Sequence, residues 1–446
     1  MIDILLFYYR VISTVSINAF VWWFMRNDYG AFIRKTTMTL VKTDVLFVKI
    51  IQALSNSHEL LDKEMDNELM RYTDRVPYNE EDCDRDIIKY IETNTPFTFV
   101  HDTPFRSGMI SLIYMLKHKE TGEKYILKIK RKLIKEKLDK SIYRMRSLLS
   151  IISTIVFWWS RVELSETIVK HFSVLKHQLD FSKEKENMNI FYNNFEHIDY
   201  VKIPKLIDET PRLNDNYIIM EYIDGKSFSE VSKDNYNNYA KMITKMGLTC
   251  MMVNGTAHGD LHAGNIIFIE NDETICKQQR IPKFQVGIID FGLVVTIPKK
   301  IQDELHFGAA NYRRQGKMHI IAERYISAVI YPSSFLETLG KDIKEKIINE
   351  IAELMSTMMF EQGNTACQER LYHSFQLVNK YIRDVIAPNY KIKLDNDFAS
   401  MQVALSMTNG VSLQLCENNF NRLLSEAIDE MFHTDLFGSD SEDETD

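Results

Sequence analysis

A chain of 446 residues is long enough for one large two-lobed domain with an extension, or for two to three ordinary domains. Its 45% hydrophobic and 26% charged residues allow a sizeable core, and the scarcity of Gly (16) and Pro (9) argues against a β-sandwich or a low-complexity protein. No basic face dominates a formal charge of −8, which excludes nucleic acid as the main ligand.

Residues 1–28 form an apolar N-terminal helix. Ile4 to Met25 holds 17 apolar residues in 22, long enough to cross a bilayer, with aromatic residues at both ends. Arg10 and Asn18 interrupt it, which favours an amphipathic helix packed on the core over a membrane span or anchor. Residues 29–95 read as a helical extension, with Leu46, Phe47 and Ile50 at helical spacing. The pre-proline run Asp74-Arg75-Val76-Pro77 interrupts it.

From residue 96 to 222 the pattern is a small mixed lobe with inserted helices. Ile110–Leu116 and Tyr125–Ile129 flank the polar turn Lys119–Glu123 and read as a β-hairpin. Residues 136–194 return to helix, and Leu148–Trp159 within them is too short to span a membrane comfortably. Tyr217–Tyr222 is a short apolar strand before the turn Asp224-Gly225. Residues 223–437 form a mostly helical lobe, beginning with an amphipathic helix over Tyr236–Val253 and two short strands, Ile266–Ile269 and Val286–Ile289. Residues 438–446 (GSDSEDETD), with five acids, cannot bury anything and form a disordered acidic tail. The five cysteines are scattered, without a C-x-x-C pair, which suits a reducing compartment, cytoplasmic or organellar. Strands first and helices later is an α+β order.

The chemistry lies in His258-Gly-Asp-Leu-His-Ala-Gly-Asn265 followed by Ile288-Ile-Asp-Phe-Gly292. Phosphoryl transfer needs positioning and charge neutralisation more than covalent help. Asp260 is placed to accept a hydroxyl proton or to orient a water. Asn265 and Asp290 offer the amide oxygen and carboxylate that magnesium prefers. Each triplet alone is a weak signal; the five-residue step from Asp260 to Asn265, with apolar strands on both sides, makes the pair specific. Lys128, alone in the apolar strand Tyr125–Ile129, is costly to bury unless paired or bound to phosphate, and it matches the strand lysine that holds ATP phosphates. Its basic neighbours Lys130, Arg131, Lys132 and Lys135 read as a solvated or lipid-facing patch. Met220-Glu221-Tyr222, at a strand end, reads as the hinge where adenine meets backbone.

Together these residues resemble the UbiB-type family of atypical, protein-kinase-like kinases and ATPases, linked to ubiquinone biosynthesis. The resemblance runs from about residue 35 to about 330. Phe47-Val-Lys-Ile-Ile-Gln-Ala53 is similar to that family's Lys-x-Gly-Gln motif, and Leu69–Pro77 to its segment ending in D-R-V-P. Gln178–Asn187 is similar to its E-L-D-F-x-x-E-x-x-N. That match, and not composition, selects Glu184 among many glutamates as the partner of Lys128. The resemblance implies a two-lobed protein-kinase-like fold whose N-terminal helical extension carries Lys49 and Gln52 over the nucleotide. It also implies MgATP as cofactor, and a small, lipid-like or protein acceptor.

There are departures. The motif glycine is Ile51, and the first acid of E-x-D is Gln178, which leaves Asp180 as the charged partner for Lys49. The phosphate-loop position offers one glycine, Gly108. About a dozen extra residues (271–284) separate Asn265 from Asp290, and Gly259 stands where an activating arginine would precede Asp260. The altered cap keeps open a nucleotide-sensing pseudokinase that binds membranes or partners. The loop itself is shared with small-molecule phosphotransferases of the aminoglycoside-kinase type.

Overall fold

A computed structural model describes residues 2–25, 29–44, 46–47, 76, 78–156, 176, 178–207, 215–359, 371–416 and 419–433. Lys49 and Gln52, and the acidic tail, lie outside the described residues. The chain divides into two compact units, Met1–Asn189 with Lys205–Tyr222, and Ile190–Pro204 with Ile223–Asp446.

The first unit is organised by an antiparallel sheet in the order β1 (Phe97–Phe99), β3 (Ser111–His118), β4 (Lys124–Lys130), β6 (Tyr217–Glu221), with β2 (Arg106–Ser107) paired to β3. The hairpin expected from the sequence is β3–β4, in register Ile113↔Lys128. Alternation along β4 puts Leu127 and Ile129 on one face, where they pack with Leu112, Tyr114 and Ile219 against Ile87 and Ile91. The latter two come from α3 (Arg85–Asn94), whose start is capped by Asp84 accepting the amides of Asp86 and Ile87.

Two further helices, α1 (Ile2–Met25) and α2 (Tyr29–Thr43), share a second core with α4 (Ile134–Val156). Phe7 and Val11 of α1 are buried there with Val41, Leu138, Ile142 and Leu148. The amphipathic reading of α1 needs correction. Only a narrow stripe packs, whereas Leu5, Tyr9, Ile12, Phe20, Trp23 and Phe24 are exposed. Apolar side chains surround the helix, so core packing accounts for only a fraction of them. Among the described residues, Asp3–Phe24 is the helix long and apolar enough to cross a membrane.

Helix α5 (Phe181–Phe195) follows, and after it β5 (Val201–Lys202) opens the strands of the second unit. There β5 pairs in parallel with β9 (Phe284–Ile288), which pairs antiparallel with β8 (Ile266–Glu270). A separate ribbon joins β7 (Thr256–His258) to β10 (Val294–Thr296). The sequence reading missed this ribbon, because three-residue strands carry too little periodicity to register. The central helix α6 (Tyr236–Thr249) continues as a π-helix, Cys250–Asn254, and ends at Gly255 with φ +65°. Gly255 is required twice over, since a Cβ there would also lie 1.9 Å from Gln302 Nε2.

The inserted residues form α7 (Glu273–Gln279), tied at its base where the Asn271 amide donates to Lys283 O (2.7 Å). The remainder is helical: α8 (Lys299–Asn311), α9 (Met318–Val329), α10 (Lys341–Met359), α11 (Leu371–Tyr381), α12 (Asn396–Cys416) and α13 (Phe420–His433). Helix α12 packs along α6, where Thr244 Oγ1 donates to Ser412 Oγ at 3.1 Å.

Candidate functional site

Lys128 sits in the middle of the sheet, flanked by Ile113 and Ile218 on neighbouring strands. Its ammonium is buried and donates to Glu184 Oε1 at 2.5 Å; the two side chains are 8% and 4% exposed. Glu184 stands in the first turn of α5. Asp180 caps that turn, accepting the Lys183 amide at Oδ1 (3.1 Å) and the Glu184 amide at its carbonyl (3.1 Å). Asp180 thus starts helix α5; Lys49, for which the sequence offers it as a partner, lies outside the described residues. Phe181, buried on the same face, brings its ring to 5.6 Å from Lys128 Nζ and 4.9 Å from Lys130 Nζ.

The neighbouring basic residues are not one solvated patch. Arg131 is buried and pairs with buried Asp82 at 3.1 Å, while its Nη2 donates to Val76 O. Lys137 joins at 2.5 Å on the other carboxylate oxygen of Asp82. This pair ties residues 76–82 to the end of β4. Asp82 was hidden in an acidic run that reads as surface. Lys130 donates to Asn216 Oδ1 at 3.0 Å, and burial lowers its pKa from the ordinary lysine range against the raising influence of Asp180, Asp215 and Glu184.

Met220 lies two residues beyond Ile218, so alternation puts its side chain on the Lys128 face of the sheet, where it is buried. Glu221 has a local task. Its amide donates to Lys205 O (2.9 Å) and its carboxylate accepts the Lys205 amide (3.4 Å). The Tyr222 ring stands 5.5 Å from Lys124 Nζ. Gly108 closes the β2–β3 turn, its amide donating to Ser111 O. A Cβ there would meet only ordinary contacts, so the chain's own packing does not demand glycine.

In the second unit the two motif loops are stitched together by backbone. Ile289 N–H donates to Asn265 O (3.1 Å), Gly259 N–H to Leu293 O (2.8 Å), and the strand pair Ile266↔Ile288 fixes their register. That pairing, and not the chain length between them, sets Asn265 beside Asp290, so α7 is accommodated without disturbing them. Asn265 Nδ2 donates to Asp260 O (3.0 Å), and Gly292 N–H donates to Asp290 Oδ1 (2.9 Å).

His258, quoted in the motif without a role, is the knot. Its Nδ1 accepts the Asp260 amide (3.1 Å), which leaves Nε2 as the donor to Asp290 O (2.5 Å). Burial among Phe191 and Phe291 pushes its pKa below the usual histidine value, opposed by Asp290 and Asp260. Gly259 is buried against Leu293, and a Cβ on it would sit 2.6 Å from Leu293 Cγ. A side chain where an arginine would stand would force Leu293 to shift.

Asn265 and Asp290 fit a magnesium ion bound mainly through substrate phosphates. The Asn265 amide is fixed through its nitrogen, which leaves its oxygen as the ligand atom. Asp290 supplies the hard carboxylate, and such sites take only one or two protein carboxylates. No cluster of three or more His, Cys, Asp or Glu able to hold a metal occurs among the described residues.

A sheet lysine paired to a helix glutamate, and a strand-end Asp-Phe-Gly laced to an Asp-x4-Asn loop, belong to the α+β, protein-kinase-like class with an N-terminal helical extension. The ABC1 atypical kinase-like domain matches residues 73–311, just over half of the chain. The chain belongs to this family of UbiB-type atypical kinases. It is 26% identical over 321 residues to a probable protein kinase UbiB of Shewanella piezotolerans, covering 68% of this chain and 56% of that one. With the Shewanella woodyi counterpart it shares 23% over 335 residues, 72% and 58% of the two chains. An uncharacterised Clostridium pasteurianum protein encoded in a hydrogenase 1 5′ region is 28% identical over 268 residues, 58% and 47%.

The chain thus spans about half the length of the curated relatives it matches. Among solved structures, a Mycobacterium tuberculosis protein in complex with erythromycin aligns over 84% of this chain and 90% of that one, at 15% identity and a TM-score of 0.44. The Rio2 kinase of Chaetomium thermophilum, in an ADP/Mg2+-phosphoaspartate complex, aligns over 86% and 94%, at 14% identity and 0.27.

Proposed function

We propose that this chain is a MgATP-dependent atypical kinase or ATPase. The observation that carries the reading is the buried Lys128–Glu184 pair. A lysine in the centre of an apolar sheet is tolerated when a carboxylate holds it charged, and a charged lysine there supplies phosphate binding. In this reading Lys128 holds the α- and β-phosphates and Glu184 fixes its ammonium. Asn265 and Asp290 hold magnesium, which neutralises charge on the phosphates. Asp260 takes the acceptor's hydroxyl proton or orients a water, and Met220, with the strand end through Tyr222, faces the adenine. Lys49 and Gln52 are assigned to cover the nucleotide on the family resemblance alone.

The acceptor is a small or lipid-like molecule, or water. The exposed apolar face of α1 supports attachment to a membrane surface, since such a face is costly in water.

Thermal shift with MgATP or MgADP tests the nucleotide reading. The melting temperature of the purified full chain should rise with either ligand, and Asp290→Asn should abolish the rise; an unchanged shift in that variant counts against the metal assignment. Phosphate release separates an enzyme from a nucleotide-sensing pseudokinase. Asp260→Asn should remove release while keeping the thermal shift, whereas the sensor would show no release in the parent chain.

A further inference from the structure

Arg131 follows Lys128 by three residues, just past the end of β4, and reaches in three directions. Its Nη1 donates to Asp82 Oδ2 at 3.1 Å and its Nη2 to Val76 O at 3.1 Å, with the guanidinium buried. Its backbone amide donates to Ile110 O at 2.8 Å, inside the turn that joins β2 to β3. One residue therefore holds that turn, the segment that precedes α3, and the end of the strand that carries Lys128.

Val76 closes the circuit. Its amide donates to Ser107 O (2.8 Å), and its carbonyl accepts the Ser107 hydroxyl (2.7 Å) as well as Arg131 Nη2. Ser107 ends β2 beside Gly108, whose own amide donates to Ser111 O (2.9 Å). The carbonyl of Asp82 accepts the Lys132 amide (2.9 Å). The turn over residues 107–111 is thus gripped from one side by Val76 and from the other by Arg131.

Stability alone does not account for this arrangement. A buried arginine–aspartate pair roughly breaks even against apolar side chains of the same volume, because desolvation offsets the attraction. Apolar packing cannot, however, hold a carbonyl at a fixed point. A planar guanidinium with its donors in a rigid fork can do so, and here it holds Val76 O while its second arm is anchored on a carboxylate.

We propose that Arg131 is a positioning residue for the nucleotide phosphates: with Val76 and Ser107 it clamps the turn through Gly108 so that the turn meets the phosphates of ATP. The assignment rests on the nucleotide reading above. It extends that reading by making Val76, in the helical extension, part of the phosphate site's framework. Arg131 acts through the turn and touches no substrate.

The test uses the full chain with MgATP and, separately, adenosine, which has no phosphate to meet the turn. Arg131→Met/Asp82→Leu removes both buried charges together, and Lys137, the other partner of Asp82, is 47% exposed and stays solvated. The melting temperature of this double variant should lie within a few degrees of the parent's. Its dissociation constant for MgATP should rise by about ten-fold, as expected of misplaced binding groups, while that for adenosine is unchanged. Ser107→Ala removes one donor to Val76 O and leaves every charge in place. It should weaken MgATP about three-fold and adenosine not at all, and it also serves if the double variant fails to fold. Equal weakening of both ligands, or parent-like MgATP affinity in a double variant of parent-like stability, would assign Arg131 to structure alone and overturn the proposal.

Hydrogen exchange in the ligand-free proteins tells the two ways of failing apart. Exchange at the Val76 and Gly108 amides should quicken in the double variant, and unchanged exchange would refute the clamp itself. Quickened exchange alongside a parent chain that binds no MgATP would instead refute the nucleotide reading, and the phosphate role with it.

Discussion

Lys128 and Glu184 lie 56 residues apart in the chain and meet at 2.5 Å with both side chains buried. Neither group tolerates that position without the other, because an uncompensated buried charge costs far more than an intact pair contributes. Lys128→Met should therefore destabilise the first unit by about 3–5 kcal/mol, with Glu184→Gln similar. The double variant Lys128→Met/Glu184→Met should recover much of the loss. Urea unfolding of the three variants measures this, and additive losses would show that the two groups do not depend on each other.

Gly259 and Leu293 give a second coupled pair. The Cβ added by Gly259→Ala falls 2.6 Å from Leu293 Cγ and 3.3 Å from Leu293 O, the carbonyl that accepts the Gly259 amide. Overpacking of this kind costs about 1–3 kcal/mol. Leu293→Ala opens space, so Gly259→Ala/Leu293→Ala should be more stable than Gly259→Ala alone. Melting temperatures decide the matter, and a double variant no better than the single one would refute the packing account.

Asp82 provides a pH signature. Burial pushes its pKa up, but Lys137, the Asn79 amide and Arg131 together hold it below the ordinary 3.8. A carboxylate depressed in the folded state adds stability above its unfolded pKa and loses that contribution as pH falls through the folded value. The stability advantage of the parent chain over Asp82→Asn should then be constant from pH 7 to about pH 5. It should shrink progressively below 3.8. Urea midpoints for both proteins across this range give the comparison, and an advantage that grows on acidification would contradict the sign.

The outward face of α1 should carry any membrane attachment. Tyr9, Ile12 and Trp23 are exposed, whereas Phe7 and Val11 hold the helix to its own core. Tyr9→Ser/Ile12→Ser/Trp23→Ser should abolish co-flotation with liposomes while leaving the melting temperature within a few degrees, since substitutions at exposed sites rarely change stability by more than about 0.5 kcal/mol. Persistent flotation of this variant would assign attachment to another surface.

What the sequence determined was chemistry with local spacing. The Asp260-to-Asn265 step, the Asp-Phe-Gly triplet and a lysine alone in an apolar strand are readable because each is a short-range pattern that a strand or turn converts directly into geometry. Long-range pairing has no such period. Nothing in the run Glu80–Asp84 distinguishes Asp82 from its neighbours until Arg131 and Lys137 close on it, and composition could not choose Glu184 without a family motif. The narrow packed stripe of α1 is likewise invisible in a helix that is apolar on every side. The knot at His258 was also decided by the tertiary structure, because hydrogen-bond satisfaction depends on what the rest of the chain brings within 3 Å.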